Sequence, residues 1–291
     1  MPNINNSIYN LRFLDEMASK KTLVHNINPV VKLLVTLLYS VIVISFGKYD
    51  ISGLVPFISY PIIIFILSDI PYLPVFKRVL VALPFVSGVG ILNPIFDTRI
   101  YIEVLGLGVS WGWISFASLI IKSSVTILAG LLLIATTKVY EIAWAFRKIG
   151  MPRIFVIQFL LIYRYIFVLL EEVSKIIKAH NLRSPFRKGV SLKVAGSLLG
   201  QMLMRSIDRA NRIYNAMILR GFNGECFFYK ESKISIGSIL YLFLWVLFII
   251  TSKLVNISEL LGNLFMGVLK WVIILCNAKI YIIHILMGKM P

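Results

Sequence analysis

The sequence holds little of what soluble catalysts and metal proteins depend on. Its 291 residues include two cysteines and three histidines. Cys226 and Cys276 stand far apart without Cys-x-x-Cys spacing, which argues against a zinc site or a structural disulfide. His25, His180 and His284 fall on separate segments, so no metal-ligand set is read, and each is expected to be an ordinary packing or interfacial histidine. No Gly-x-x-x-x-Gly-Lys-[Ser/Thr] loop occurs, so the chain itself is not expected to bind ATP or any other cofactor, and no catalytic constellation emerges. Acids are scarce: 13 Asp and Glu face 30 Lys and Arg, leaving a net charge of +17. No pair of acids lies inside an apolar run, which argues against an ion-coupled carrier or an intramembrane prenyl-transfer enzyme. The N-terminus has no apolar core followed by a small-residue cleavage site, so no removable signal peptide is expected.

What the sequence has in excess is apolar surface. Hydrophobic residues make up 58% of the chain, and the mean hydropathy is +0.86. Long unbroken apolar runs have no use in a soluble domain. They predict an all-α, polytopic membrane protein with about five or six transmembrane helices. The positive charge then follows the positive-inside rule of a cell-membrane protein, and nucleic acid is not needed to explain it.

The chain divides by composition into four parts. Residues 1–29 form a polar, cytoplasmic N-terminal segment with a short amphipathic helix through Ile8, Leu11 and Leu14. Residues 30–137 form a four-span region, with runs at 30–46, 51–68, 79–95 and 111–137. Pro29 suits the start of the first, because its missing N–H would be unsatisfied there anyway. Pro84, Gly88, Gly90 and Pro94 in the third suit close helix packing. Segment 97–110, with two acids and one base, reads as an extracytoplasmic loop. Residues 138–233 are the cytoplasmic region: they hold 17 Lys or Arg against six Asp or Glu. Within them Gly150-Met151-Pro152 opens a long helix over 153–183, which Ser184-Pro185 stops. Residues 234–291 comprise a further span at 234–252 and a tail. Lys270 and Lys279 interrupt the tail, leaving a sixth span or an interfacial helix open.

The stretch 203–225 is the most distinctive. Leu203, Ile207, Ala210, Tyr214 and Met217 recur at helical spacing and share one face. Arg205, Arg209, Arg212, Ala216 and Arg220 form a row on nearly the opposite side. Gly221 is placed to end the helix in the left-handed conformation, with Arg220 in the last turn, where the helix dipole favours a cation. Such a helix also fits an amphipathic element lying on anionic lipid. Arg164, between Tyr163 and Tyr165, is read as the charge deep in an apolar helix. It is either a snorkelling or backbone-capping arginine or a partner for Glu171 or Glu172.

These residues resemble the transmembrane T component of energy-coupling factor transporters in its cobalt-type form, the CbiQ family. Asn28-Pro29-Val30-Val31-Lys32-Leu33 is similar to the family's Asp-Pro-Arg-x-Lys-Leu approach to the first span. Gly150-Met151-Pro152, Tyr163-Arg164-Tyr165-Ile166 and Glu171-Glu172 resemble its proline-opened helix. Leu182-Arg183-Ser184 and Leu219-Arg220-Gly221 stand at its two Ala-Arg-Gly-like triplets, with leucine in place of alanine. The resemblance covers 22–225. It implies a non-catalytic subunit whose crossing amphipathic coupling helices meet two cytosolic CbiO-like ATPases, which bind ATP and Mg. It also implies a separate CbiM/CbiN-like substrate-binding membrane subunit tilted by their motion. The implied coupling residues are Leu182, Arg183, Ser184, Arg205, Arg209, Arg212, Ala216, Leu219, Arg220 and Gly221, with Arg164, Glu171 and Glu172 as structural or functional charges. Cobalt follows from the subtype alone, so nickel or a vitamin stays open. A lipid-bound membrane-surface scaffold is the alternative from another class; a channel or carrier working alone lacks midplane polar residues.

Overall fold

A computed structural model describes residues 15–20, 22–97, 100–104, 107–183, 192–224 and 235–254. Helix α1 (Pro29–Ile44) is followed by two 3-10 turns, Ser52–Leu54 and Pro56–Ile58, and by α2 (Ser59–Ser68). Next come α3 (Tyr72–Gly90), α4 (Leu92–Phe96) and an antiparallel hairpin of β1 (Ile100–Val104) and β2 (Leu107–Ser110). Helices α5 (Trp111–Thr136), α6 (Val139–Ile149), α7 (Arg153–Arg183), α8 (Leu192–Leu219) and α9 (Ile236–Leu254) complete the order. Among the described residues four helical stretches are long and apolar enough to cross a membrane: Tyr72–Phe96, Trp111–Thr136, Arg153–Arg183 and Ile236–Leu254. Pro29–Ile44 and Ser52–Ser68 are shorter apolar helices. The protein is an all-helical polytopic membrane protein, with one small hairpin in the segment that the sequence reads as a loop.

Several limits differ from the sequence reading for physical reasons. Pro56 and Pro61 lack amide donors, and the second run begins as 3-10 turns before α2. The third run starts at Tyr72 rather than 79, because Lys77 and Arg78 ride on α3 instead of breaking it. Helix α7 is apolar over enough of its length to qualify as a span, which a count of charges over 138–233 does not reveal. The N-terminal amphipathic helix, the basic loop 187–189 and the tail with Lys270 and Lys279 lie outside the described residues.

The chain forms two compact units. The first takes its described residues from Met1–Leu34 and Leu133–Ile239, the second from Val35–Leu132 and Leu240–Pro291. In the first, the motif at 28–33 acts as a helix start. The Asn28 side-chain oxygen accepts the Val30 amide at 3.0 Å, satisfying one of the donors left open at a helix N-terminus. Pro29 occupies the first helical position. The Asn28 amide in turn donates to the Ser238 hydroxyl at 3.0 Å. In the second unit the core is aromatic. Tyr39 is fully buried and donates to the Phe57 carbonyl at 2.7 Å. Its ring stacks on Tyr60 at 4.4 Å, and Trp245 meets Tyr60 edge-on at 4.6 Å. At Gly112 an added Cβ would lie 2.5 Å from the Pro94 Cα, so only glycine lets α5 approach α4 this closely.

Candidate functional site

Helix α6 is built with charges that suit its dipole. Glu141 sits in its first turn, Arg147 and Lys148 in its last, each near the backbone partial charge of opposite sign. It ends at Gly150, whose φ of +111° is open to glycine without strain. The Met151 amide reaches back to the Phe146 carbonyl at 3.1 Å and the Gly150 amide to Arg147 at 3.2 Å, a Schellman cap. The chain then turns through Pro152 into α7.

Helices α7 and α8 form the candidate site. They leave between them an open groove of about 930 Å³. Ile157, Leu161 and Tyr165 line it from α7, and Ile213, Tyr214 and Met217 from α8. One ion pair bridges the two helices: Arg209 donates to Glu172 at 2.7 Å, with Arg205 3.8 Å from the other carboxylate oxygen. Glu172 is mostly covered and Arg209 half-buried. After allowance for solvent screening, the hydrogen-bonded contact is worth about 1–2 kcal/mol.

The packed face of α8 is not the face that the apolar spacing selects. From residue 202 onward Met202, Ser206, Arg209, Ile213 and Met217 are its half-buried positions. Leu203, Ile207 and Tyr214 are exposed, Leu203 to 62%. The packed stripe lies roughly a quarter turn from the apolar one because Arg209 is drawn inward by Glu172. Arg205, Arg212 and Ala216 remain exposed.

The ends of the two helices share one arrangement. Leu182 is 83% exposed beside Arg183 at the end of α7, and Leu219 is 88% exposed beside Arg220 at the end of α8. At the second end the chain turns at Gly221, with φ +80°. The Phe222 amide bonds the Met217 carbonyl at 3.0 Å and the Gly221 amide bonds Ile218 at 2.9 Å. This second Schellman cap stops the helix sharply and leaves its Leu-Arg pair at the tip. Ser184 lies outside the described residues.

Arg164 lies elsewhere on α7. With Asp15, Glu16, Tyr140 and Tyr163 it lines a separate cavity of about 590 Å³, and its guanidinium sits 5.9 Å from the Tyr165 ring centroid. The expected pairing with Glu172 is replaced by the Arg209 contact. Eight helical residues place Arg164 and Glu172 about 12 Å apart along the axis, beyond comfortable side-chain reach. Glu171 is on the exposed side of α7.

A protein-family comparison decides what this helix arrangement belongs to: the family described as "CbiQ: Cobalt transport protein" matches residues 20–232. The chain belongs to the CbiQ cobalt transport family. It is therefore a transport-related membrane component. The chain is also similar to two proteins of Methanocaldococcus jannaschii, both described as uncharacterized. One is 26% identical over 253 residues, covering 84% of this chain and 85% of the relative. The other is 27% identical over 234 residues, covering 73% of this chain and 81% of the relative.

In this CbiQ-family chain Arg164 is exposed, and charges inside apolar runs outnumber the single one that the sequence reading isolates. Lys32 is only 2% exposed, and its ammonium donates to the Thr136 carbonyl at 2.9 Å and the His25 carbonyl at 3.2 Å. Lys122, inside α5, donates to the carbonyls of Phe46 and Gly47 at 2.8 Å each. Lys32 follows the rule that a buried ammonium must find acceptors; the half-buried Lys122 is satisfied in the same way. The signal for them was a lysine inside an apolar run; their partners are set by tertiary packing. His25 is likewise a packing residue: Nε2 meets the Met17 carbonyl at 3.1 Å and Nδ1 the Thr22 hydroxyl at 2.7 Å. Burial, aided by the nearby Lys32 charge, holds its imidazole below the ordinary pKa. The neutral tautomer that satisfies both contacts carries its proton on Nε2. Among the described residues no group of three His, Cys, Asp or Glu is placed to hold a metal ion.

Proposed function

We propose that this chain is the transmembrane coupling component of an energy-coupling-factor-type importer for cobalt, inserted in the cell membrane with its N-terminus and the 138–233 region on the cytoplasmic side. In this reading α7 and α8 are the coupling helices, α7 lying at the cytoplasmic face although its length and apolar content would also suit a span; two cytosolic ATPases bind and hydrolyse ATP, and a separate membrane subunit binds the ion. The observation that carries the reading is the repeated tip. Each of two long helices ends on an exposed Leu-Arg pair, which offers an apolar anchor and a forked donor to a groove with acidic walls. A tip of this kind has little use on a protein that works alone.

Charge reversal tests it. Arg183→Glu or Arg220→Glu should leave insertion intact while ATPase co-purification and ATP-driven cobalt uptake are lost. Removing a hydrogen-bonded charge at a desolvated contact costs about 2–5 kcal/mol, or tens-fold and more in affinity. The same reversal at Lys188 or Lys193 should be far milder. A membrane-surface scaffold is the second reading, favoured by the exposed apolar row Leu203, Ile207 and Tyr214 on α8. It predicts that all four reversals behave alike, each weakening binding to anionic vesicles by about 1 kcal/mol. That result would end the coupling reading.

A further inference from the structure

The ammonium of Lys32 meets three segments of the first unit at one point. It donates to the His25 carbonyl in the N-terminal turn and to the carbonyl of Thr136, the last residue of α5. The carboxylate of Glu141, in the first turn of α6, attracts the same charge. Between Thr136 and α6 the chain is not helical: Lys138 is extended, with ψ 147°. Thr136 and Thr137 are themselves buried. The α5–α6 junction is thus a two-residue bend at Thr137–Lys138, joined to α6 through the Lys138 carbonyl, which accepts the Glu141 and Ile142 amides, and Lys32 spans it from the side.

Static stability alone is a poor reason for such an arrangement. Taking a charge out of water is costly, and well-packed apolar side chains usually hold a junction at least as firmly. A cation bonded to two carbonyls and attracted by a nearby carboxylate instead favours one direction of the bend, because its partners come from different segments. Helix α6 runs from this bend to the Gly150 cap, where α7 begins. The bend therefore lies on the covalent path between α7 and the end of α5.

We propose that Lys32 is a positioning residue for coupling, the clasp that makes α5, α6 and the N-terminal turn move as one body when α7 and α8 are displaced. This rests on the coupling reading above. Without the clasp the bend at Thr137–Lys138 absorbs the motion, so ATP is hydrolysed but does less transport. The signature is a changed ratio of ions moved per ATP, which a merely structural residue would not alter in assembled complexes.

The test uses the full complex, purified with its ATPase and substrate-binding subunits and reconstituted in vesicles, with cobalt(II) as the probe. Lys32→Met keeps the length of the side chain and removes its charge; Glu141→Gln keeps the shape and weakens the third partner; Lys32→Arg restores a cation with several donors. In Lys32→Met, cobalt moved per ATP should fall about tenfold, within the ordinary range of coupling free energies, while ATP hydrolysis per complex stays near wild type. Glu141→Gln, at a half-exposed position that tolerates change, should shift the ratio in the same direction by less. Lys32→Arg should regain part of it. If Lys32→Met fails to assemble, Glu141→Gln carries the decision alone. An unchanged ratio in every variant that assembles would overturn the proposal, as would a parallel fall of uptake and hydrolysis. Failure of the wild-type chain to bind ATPases at all would end the coupling reading and this inference together, a result separable from the others because it needs no variant.

Discussion

The aromatic core of the second unit and the α7–α8 pair of the first solve opposite problems. Tyr39, Phe57, Tyr60 and Trp245 are all buried, and the one polar group of Tyr39 finds a carbonyl. Along α7 and α8 a single ion pair and a few half-buried side chains do the joining, and the open groove and both Leu-Arg tips are left uncovered. On the coupling reading, that difference suits α7 and α8 to contact with partners and the aromatic core to a fixed frame.

That contrast can be broken at either side. The largest effect should come from the frame: Phe57→Ala leaves a void in a packed core and should cost about 3–5 kcal/mol. Thermal unfolding in detergent reads it, and Leu203→Ala on the exposed face of α8 should move the midpoint hardly at all. Next comes the pair itself. Glu172→Leu strips Arg209 of its partner and should cost about 2–3 kcal/mol. Hydrogen exchange should rise along α7 and α8 while the amides of α9 stay protected. Gly221→Ala forces a side chain into left-handed backbone for about 1–2 kcal/mol. Space is not the obstacle, since an added Cβ there meets nothing within 4 Å. ATPase binding should weaken modestly, and far less than with Arg220→Glu.

The smallest expected effect concerns pH. With its folded pKa below the unfolded value near 6.5, His25 is neutral in the fold and takes up a proton on unfolding. Its contribution to stability is therefore complete above about pH 6.5 and declines as pH falls toward the folded pKa. Exchange of the amides at 22–28 should accelerate over that interval. His25→Gln should remove the dependence.

How far these features could be read from the chain depends on the range of the forces that set them. Helices α1, α5 and α7 begin within a residue of expectation because their signals are local: Pro29 at a helix start, Trp111 at a change of polarity, and Pro152 after a glycine. The hairpin at 100–110 was missed, since its pairing is between backbone groups and little in so short a stretch announces it. On α8 the turn at Gly221 was legible from a conformational preference. The packed face was not, because Glu172, 37 residues earlier, decides where Arg209 points. Lys32 shows the same limit. An ammonium inside an apolar run advertises that it has partners but says nothing of which.

Lys122 has a consequence for the bilayer itself. Its ammonium caps the carbonyls of Phe46 and Gly47 just beyond the end of α1. The chain can therefore leave the helical path there without stranding those two acceptors. Helix α1 has 16 residues, or about 24 Å of axial length, against a hydrocarbon layer about 30 Å thick. Helix α5, with 26 residues, reaches about 39 Å. A single sheet of lipid cannot match both. A layer that accommodated both would thin beside the short helix while the long one tilted, and the carbonyls capped by Lys122 are where the short helix stops.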